Sequence, residues 1–257
     1  MRSLRRNAGE HTAALLHRRR FPSPFTPQPP TVKQLAFDFS VATAPAYDNF
    51  VVGRNAELMQ RLRDLPRTPD DERFLYLWGA CGSGRTHLLQ AAVTAFRAAG
   101  ARAEYVPCAP DTDFAEPLRA LDAVAVDDVE RLGDTAQISL FSLYNGLRGT
   151  GAALIAAGNV APMRLALRPD VVTRLGWGLV YEVHGLTDLQ KAEALAEHAS
   201  VRGFTLQPDV TKYLLTHARR DMPALLALLD ALDRYSLESK RPVTVPLLRE
   251  LLAAGQK

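Results

Sequence analysis

The sequence predicts an α/β fold, a five-stranded parallel sheet flanked by helices, followed by a small all-helical domain. Three observations predict it. Five strand-length apolar runs, Phe74–Trp78, Ala103–Val106, Ala123–Val126, Ala153–Ala157 and Leu179–Val183, lack polar alternation. Such runs suit strands buried on both faces, as parallel sheets require. Helical patterns separate most of the runs, and after Gly185 the strand-like runs stop.

Each element has local support. A helix-like stretch follows Asn55, running from Ala56 to Leu65, and Pro66 stops it. Thr86–Ala99 reads as a helix ended by Gly100, and Ala136–Arg148 as another. Thr187-Asp-Leu-Gln190 is a capping-box pattern, opening a helix to about Arg202 before Gly203. Pro208, Pro223 and Pro246 each suit the first turn of a further helix. The second of these runs through Leu225, Leu229, Leu232 and Leu237, and the third ends near Ala254. The expected organisation is residues 1–31 as a tail, 32–46 as a peptide and linker, 47–185 as the α/β domain and 186–257 as the helical one.

Charge is unevenly placed. The 257 residues carry a net +3, but residues 1–31 hold six arginines against the single acid Glu10. The remaining chain is therefore close to neutral, which argues against a broad basic face for reading DNA. Arg18-Arg19-Arg20 and the five prolines between Pro22 and Pro30 offer little to bury, so this stretch reads as a disordered tail. An Arg-rich targeting presequence is the alternative, and translation starting at Val32 is a third. No apolar run of transmembrane length occurs. Two cysteines, Cys81 and Cys108, are too few for a disulfide framework and fit a cytoplasmic setting.

The sharpest motif is Gly79-Ala80-Cys81-Gly82-Ser83-Gly84-Arg85-Thr86, a P-loop between a predicted strand and a predicted helix. Gly79, Gly82 and Gly84 let the backbone wrap phosphate oxygens, and the helix N-terminus adds free N–H groups. Thr86 supplies a hydroxyl for Mg²⁺. Arg85 replaces the usual lysine; its planar fork is larger and more directional, so nucleotide binding is expected and hydrolysis is not. Val124-Ala125-Val126-Asp127-Asp128 places a carboxylate at the end of a buried strand. Asp127 is the candidate for holding Mg²⁺ and Asp128 for orienting a water. Trp78 and Trp177 read as packing residues and His87 as a helix-surface residue.

These motifs, with Asn49-Phe50-Val51-Val52-Gly53-Arg54-Asn55 and Arg174-Leu175-Gly176-Trp177-Gly178, resemble the AAA+ module of the bacterial initiator DnaA. Arg85 and the Arg174–Gly178 run point within that family to the Hda group, the DnaA homologues that inactivate DnaA. The resemblance covers roughly residues 32–257 and implies an AAA+ P-loop domain with a helical lid. It implies that Phe50, Val51, Val52 and Gly53 border an adenine, with Ser83 among the P-loop contacts to bound ADP or ATP. Asn159 takes the place of the polar sensor, and Arg174 that of an arginine finger reaching a neighbour's nucleotide. The family's sensing arginine on the lid should fall near Asp221-Met222-Pro223, where Pro223 stands instead; Arg219 or Arg220 could substitute.

Gln34-Leu35-Ala36-Phe37-Asp38-Phe39 resembles the peptide with which bacterial proteins dock on the sliding clamp, the β subunit of DNA polymerase III. Leu35, Phe37 and Phe39 would fill an apolar groove while Gln34 makes polar contacts. The alternative is a segment packing on the chain's own core. The expected function is regulation of replication initiation: clamp-tethered, the chain would promote hydrolysis of DnaA-bound ATP in trans. DNA contact would be mainly indirect, since no room remains after the lid for a DNA-reading module. Partners would be DnaA and the clamp at the replisome, with no membrane and with a homo-oligomer left open. An autonomous AAA+ ATPase such as a helicase loader, and a non-catalytic DnaA adaptor, are the competing readings.

Overall fold

The computed structural model describes residues 44–67, 72–219 and 221–254. The peptide Gln34–Phe39, the tail before it and Arg220 lie outside the described residues.

The α/β domain opens with α1 (Ala56–Asp64), β1 (Phe74–Trp78), α2 (Arg85–Ala98) and β2 (Ala103–Pro107). It continues with β3 (Ala123–Asp127), α3 (Asp134–Arg148), β4 (Ala153–Gly158), α4 (Pro169–Leu175) and β5 (Leu179–Glu182). All four strand pairings are parallel, in the order β2-β3-β4-β1-β5. The five expected strands are all present, and the long helices start within two residues of their expected positions. Only a 3-10 turn, Glu116–Ala120, joins β2 to β3. Helix α4 is an element that the sequence reading lacks.

Burial explains the continuous apolar runs. Helices α1 and α2 cover one sheet face through Leu58, Leu62, Leu88, Leu89 and Phe96, packed on Leu75, Leu77, Ala125 and Ile155. Helices α3 and α4 cover the other through Leu140, Leu143, Leu147, Val171 and Leu175, packed on Tyr76, Val124, Val126 and Leu154. A polar residue within a central strand would lose water on either face without gaining a partner.

The lid comprises α5 (Asp188–Val201), α6 (Pro208–His217), α7 (Met222–Ser239) and α8 (Val245–Ala254), around its own core of Leu195, Leu214, Leu229, Leu232 and Leu248. The capping box forms as expected: the Gln190 N–H donates to Thr187 Oγ1 at 3.2 Å, and the Thr187 N–H donates to Gln190 Oε1 at 2.9 Å. Asp221 caps α7 by accepting the Ala224 N–H at 3.0 Å, with Pro223 in the first turn.

Parallel connectivity gives the sheet two distinct edges. At the edge where strands end lie the P-loop after β1, Asp127 closing β3, Asn159 after β4 and Val183 after β5. At the edge where strands begin lie the C-terminal turns of α3 and α4, beside Phe74 and Leu154.

Candidate nucleotide-binding site

The P-loop is shaped by backbone geometry that side chains would obstruct. Gly84, the residue before α2, has φ of 102°, and a Cβ there would lie 2.7 Å from the Phe50 ring. Only glycine allows both the left-handed backbone and this close approach. Phe50 thereby closes over the loop, and its ring also contacts His87, with centroids 5.5 Å apart. The Nε2 of His87 lies 2.9 Å from the Ala46 carbonyl. His87 is thus not the plain helix-surface residue that the sequence reading expects; it fastens the incoming chain beside the loop.

Asp127, 2% exposed, is the centre of the polar cluster. Its Oδ2 accepts from Thr86 Oγ1 at 2.7 Å and from the Tyr105 hydroxyl at 2.9 Å. Its Oδ1 accepts the Asp128 N–H at 3.0 Å. A carboxylate this buried stays tolerable only because both oxygens are satisfied. Thr86 and Asp127, read separately from sequence, therefore meet in space. Tyr105 escapes the sequence reading, although one signal points to it. Tyr105 pairs with Ala125, two residues before Asp127, and diagonal neighbours on one face lie within reach of a long side chain. Burial pushes the Tyr105 hydroxyl well above its usual range, and adjacent Asp127 adds to this, so it remains a donor.

Asp128 adopts a left-handed backbone with φ of 52°, uncommon outside glycine. Its carboxylate faces two cations, Arg85 at 3.7 Å and Arg131 at 3.9 Å. The Arg85 side chain is 12% exposed, and its Nη1 is buried without a hydrogen-bond partner, as is the Ser83 hydroxyl. Unsatisfied donors cost about 1–3 kcal/mol each. Two of them within a glycine-shaped loop at a helix N-terminus fit a phosphate group. Asn159 stands exposed beyond β4 on the same edge. The site would hold a phosphate chain through Gly79–Thr86 and a divalent cation through Thr86 and Asp127.

Residues 50–53 run along the side of this cradle. Asn55, 3% exposed, is a second residue that sequence reasoning misses. Its Nδ2 donates to the carbonyls of Val52 at 3.1 Å and His184 at 2.9 Å, and its Oδ1 accepts the His184 N–H at 2.8 Å. It bolts the Phe50–Gly53 segment to the backbone just ahead of the lid. Val51 and Val52 are half-buried there, and Gly53 approaches Leu186 and Gln190 of the lid.

Arg174 is not in this cluster. It sits in the last turn of α4, at the edge where strands begin. Its guanidinium carbon lies 3.9 Å from the centre of the Trp177 ring, with Phe141 at 5.4 Å and Tyr144 at 5.9 Å. At ~3.3 Å of rise per residue, the length of β1 alone separates it from the P-loop by roughly 13 Å. On the lid, Arg219 lies 3.3 Å from Asp221 with its side chain 86% exposed.

A phosphate loop between strand and helix, an acid closing another strand of the same parallel sheet, and a helical lid define an AAA+ P-loop protein. Residues 42–182 match the model of the bacterial DnaA ATPase domain, and residues 188–252 match that of the Hda lid domain. The chain belongs to the DnaA ATPase-domain family, with a lid of the Hda kind.

Solved structures agree on the fold. The replication initiator DnaA bound to AMPPCP and single-stranded DNA matches with a TM-score of 0.63 at 23% identity, covering 76% of this chain and 67% of that one. Domain III of Thermotoga maritima DnaA gives 0.63 at 19% identity, covering 81% of this chain and 95% of that one. AMPPCP-bound DnaA from Aquifex aeolicus gives 0.63 at 21% identity, covering 76% and 66%. No helix among the described residues is long and apolar enough to cross a membrane.

Proposed function

We propose that this chain regulates chromosome replication initiation by binding adenine nucleotide and promoting hydrolysis of ATP held by DnaA. Gly79–Thr86 and Phe50–Gly53 bind its own ADP or ATP. Mg²⁺ neutralises the phosphate chain when bound. Thr86 and Asp127 are the residues that hold that cation, and Asn159 meets the phosphate end. Arg85, already facing Asp128, and Pro223 in the lid turn argue that this nucleotide is held rather than turned over.

The observation that carries the reading is the separation of Arg174 from its own P-loop, at opposite edges of the sheet. An arginine so placed cannot serve its own phosphates and is free to serve those of a molecule packed against this edge. There, water attacks the γ-phosphorus, the bond to the β–γ bridging oxygen breaks, and ADP and phosphate leave. Charge growing on the transferred group and on the leaving oxygen meets the Arg174 guanidinium. Fingers of this kind contribute about 10³–10⁵ in rate. Gln34, Leu35, Phe37 and Phe39 tether the chain to the sliding clamp, so the reaction is coupled to replication under way.

The test is hydrolysis of ATP bound to DnaA, with clamp loaded on DNA, with and without this chain. We expect strong stimulation, little turnover by the chain alone, and a loss of about 10³-fold with Arg174→Ala. Substituting Gln34 and Phe37 by alanine should abolish the dependence on loaded clamp. Full stimulation by Arg174→Ala would remove the finger, leaving an adaptor role. Rapid turnover by the chain alone would favour an autonomous ATPase.

A further inference from the structure

Trp177 is 54% exposed, one of the larger apolar side chains that the described residues leave open to solvent. A single exposed apolar side chain needs no explanation by itself, so what surrounds it carries the argument. Its position is tightly set. The Gly176 N–H closes the last turn of α4 on the Val172 carbonyl at 3.0 Å, and the Trp177 N–H bonds the Arg174 carbonyl at 3.2 Å. Gly178 next to it lies so close to β1 that a Cβ would fall 2.1 Å from the Phe74 carbonyl oxygen. The turn thus holds residues 174 and 177 three apart on a rigid corner. The Arg174 guanidinium carbon lies 3.9 Å above the indole, and that of Arg148, from the end of α3, lies 5.1 Å from the same ring.

Among the described residues, no carboxylate pairs with Arg174. The difference matters chemically. An ion pair would fix the guanidinium but neutralise it and occupy its N–H donors. An aromatic face fixes the plane of the cation by its quadrupole, leaving the charge and the in-plane donors available. A cation meant for a phosphoryl group needs the second kind of support. Preorganisation of this sort lowers the ordering cost when the reaction begins.

We infer that Trp177 is a positioning residue that holds the Arg174 guanidinium oriented and uncommitted, ready for the triphosphate of a neighbouring molecule. This rests on the proposed role of Arg174. Arg148 bears on the same indole from the end of α3 and keeps that corner cationic. Trp177 acts through Arg174 and touches no reacting atom itself.

The experiment uses the full chain in the DnaA-bound ATP assay with loaded clamp, varying the concentration of the chain. Trp177→Ala and Trp177→Leu should each lower the maximal stimulated rate about tenfold, as expected for losing a cation–π contact at a partly desolvated site. Half-saturation should shift less than about twofold, and Trp177→Phe should recover most of the rate. A matching melting temperature for each variant excludes unfolding. In a Trp78→Phe background, where Trp177 is the sole tryptophan, Arg174→Ala should change the emission of the isolated chain. If Arg174→Ala abolishes stimulation while Trp177→Ala stimulates as wild type, the positioning role is overturned and the finger stands. A change confined to half-saturation makes Trp177 a docking residue and overturns it too. If Arg174→Ala stimulates fully, the finger itself fails and the inference goes with it. An unchanged emission shows that the stack is absent in solution.

Discussion

At the scale of single residues, the two cysteines separate by environment. Cys108 is buried and bonds the Asp127 carbonyl through its N–H at 2.9 Å. Burial, then the Asp127 carboxylate, pushes its thiol up to about 12. Cys81 is exposed in the phosphate loop. We expect one thiol per native chain to react with an aromatic disulfide reagent at pH 8, and two after denaturation. ADP should protect that one thiol, and its peptide should map to residue 81. For Cys108 the sign follows from the raised value. The folded state keeps its proton longer, so this contribution to stability is complete below about 9 and fades as pH climbs toward 12. Asp127 and Thr86 give a second check. Asp127→Asn keeps the shape but removes the charge. It should abolish most of the Mg²⁺ dependence of ADP affinity, with Mg²⁺-free affinity changed by less than about threefold, as calorimetry in EDTA would measure.

At the scale of elements, the strongest constraints sit where chain segments touch. Gly178→Ala must move β1 or the α4–β5 turn, because no flexible group can yield to the new methyl. A loss of about 2–4 kcal/mol is expected by denaturant titration, above the usual surface change. Asp221→Ala removes the cap of α7 and should cost about 1 kcal/mol, seen as faster amide exchange at Leu225 and nearby residues. The elements also show what could be read beforehand. Runs such as Val124-Ala125-Val126 announce strands because a sheet covered on both faces tolerates nothing else. Thr187 and Gln190 announce their helix because a capping box is local chemistry. Helix α4 is not announced: it has seven residues, Pro169 and Asp170 at its start, and only Val171 and Leu175 buried. The meeting of Thr86 with Asp127 follows from α2 packing across β3. Asn55 with His184, 129 positions away, does not, because backbone groups that accept and donate leave no trace in the residue type at 184. Tyr105 lies between these cases, needing the β2–β3 register before its hydroxyl could be assigned.

At the scale of the whole molecule, the proposed nucleotide site would be built from the phosphate loop, the Phe50–Gly53 segment and the backbone leading into the lid. Asn55 fastens the last two together. Its replacement by alanine strands buried backbone groups at about 1–3 kcal/mol and should weaken ADP binding as well as stability. Conversely, ADP at 100 times its dissociation constant should stabilise the native chain by about 2.7 kcal/mol, read as a rise in melting temperature. In Asn55→Ala that rise should shrink, which separates a bolt within the ligand site from a merely structural contact.

The opposed edges of the sheet give this molecule a polarity, like a link with a hook at one end and an eye at the other. In the proposed pairing, one partner offers its hook and the other its eye, so the contact is heterologous and cannot close on itself with two members. Each joined pair leaves an unused eye on one side and an idle hook on the other. Contacts of that kind extend a row of related modules rather than closing a pair.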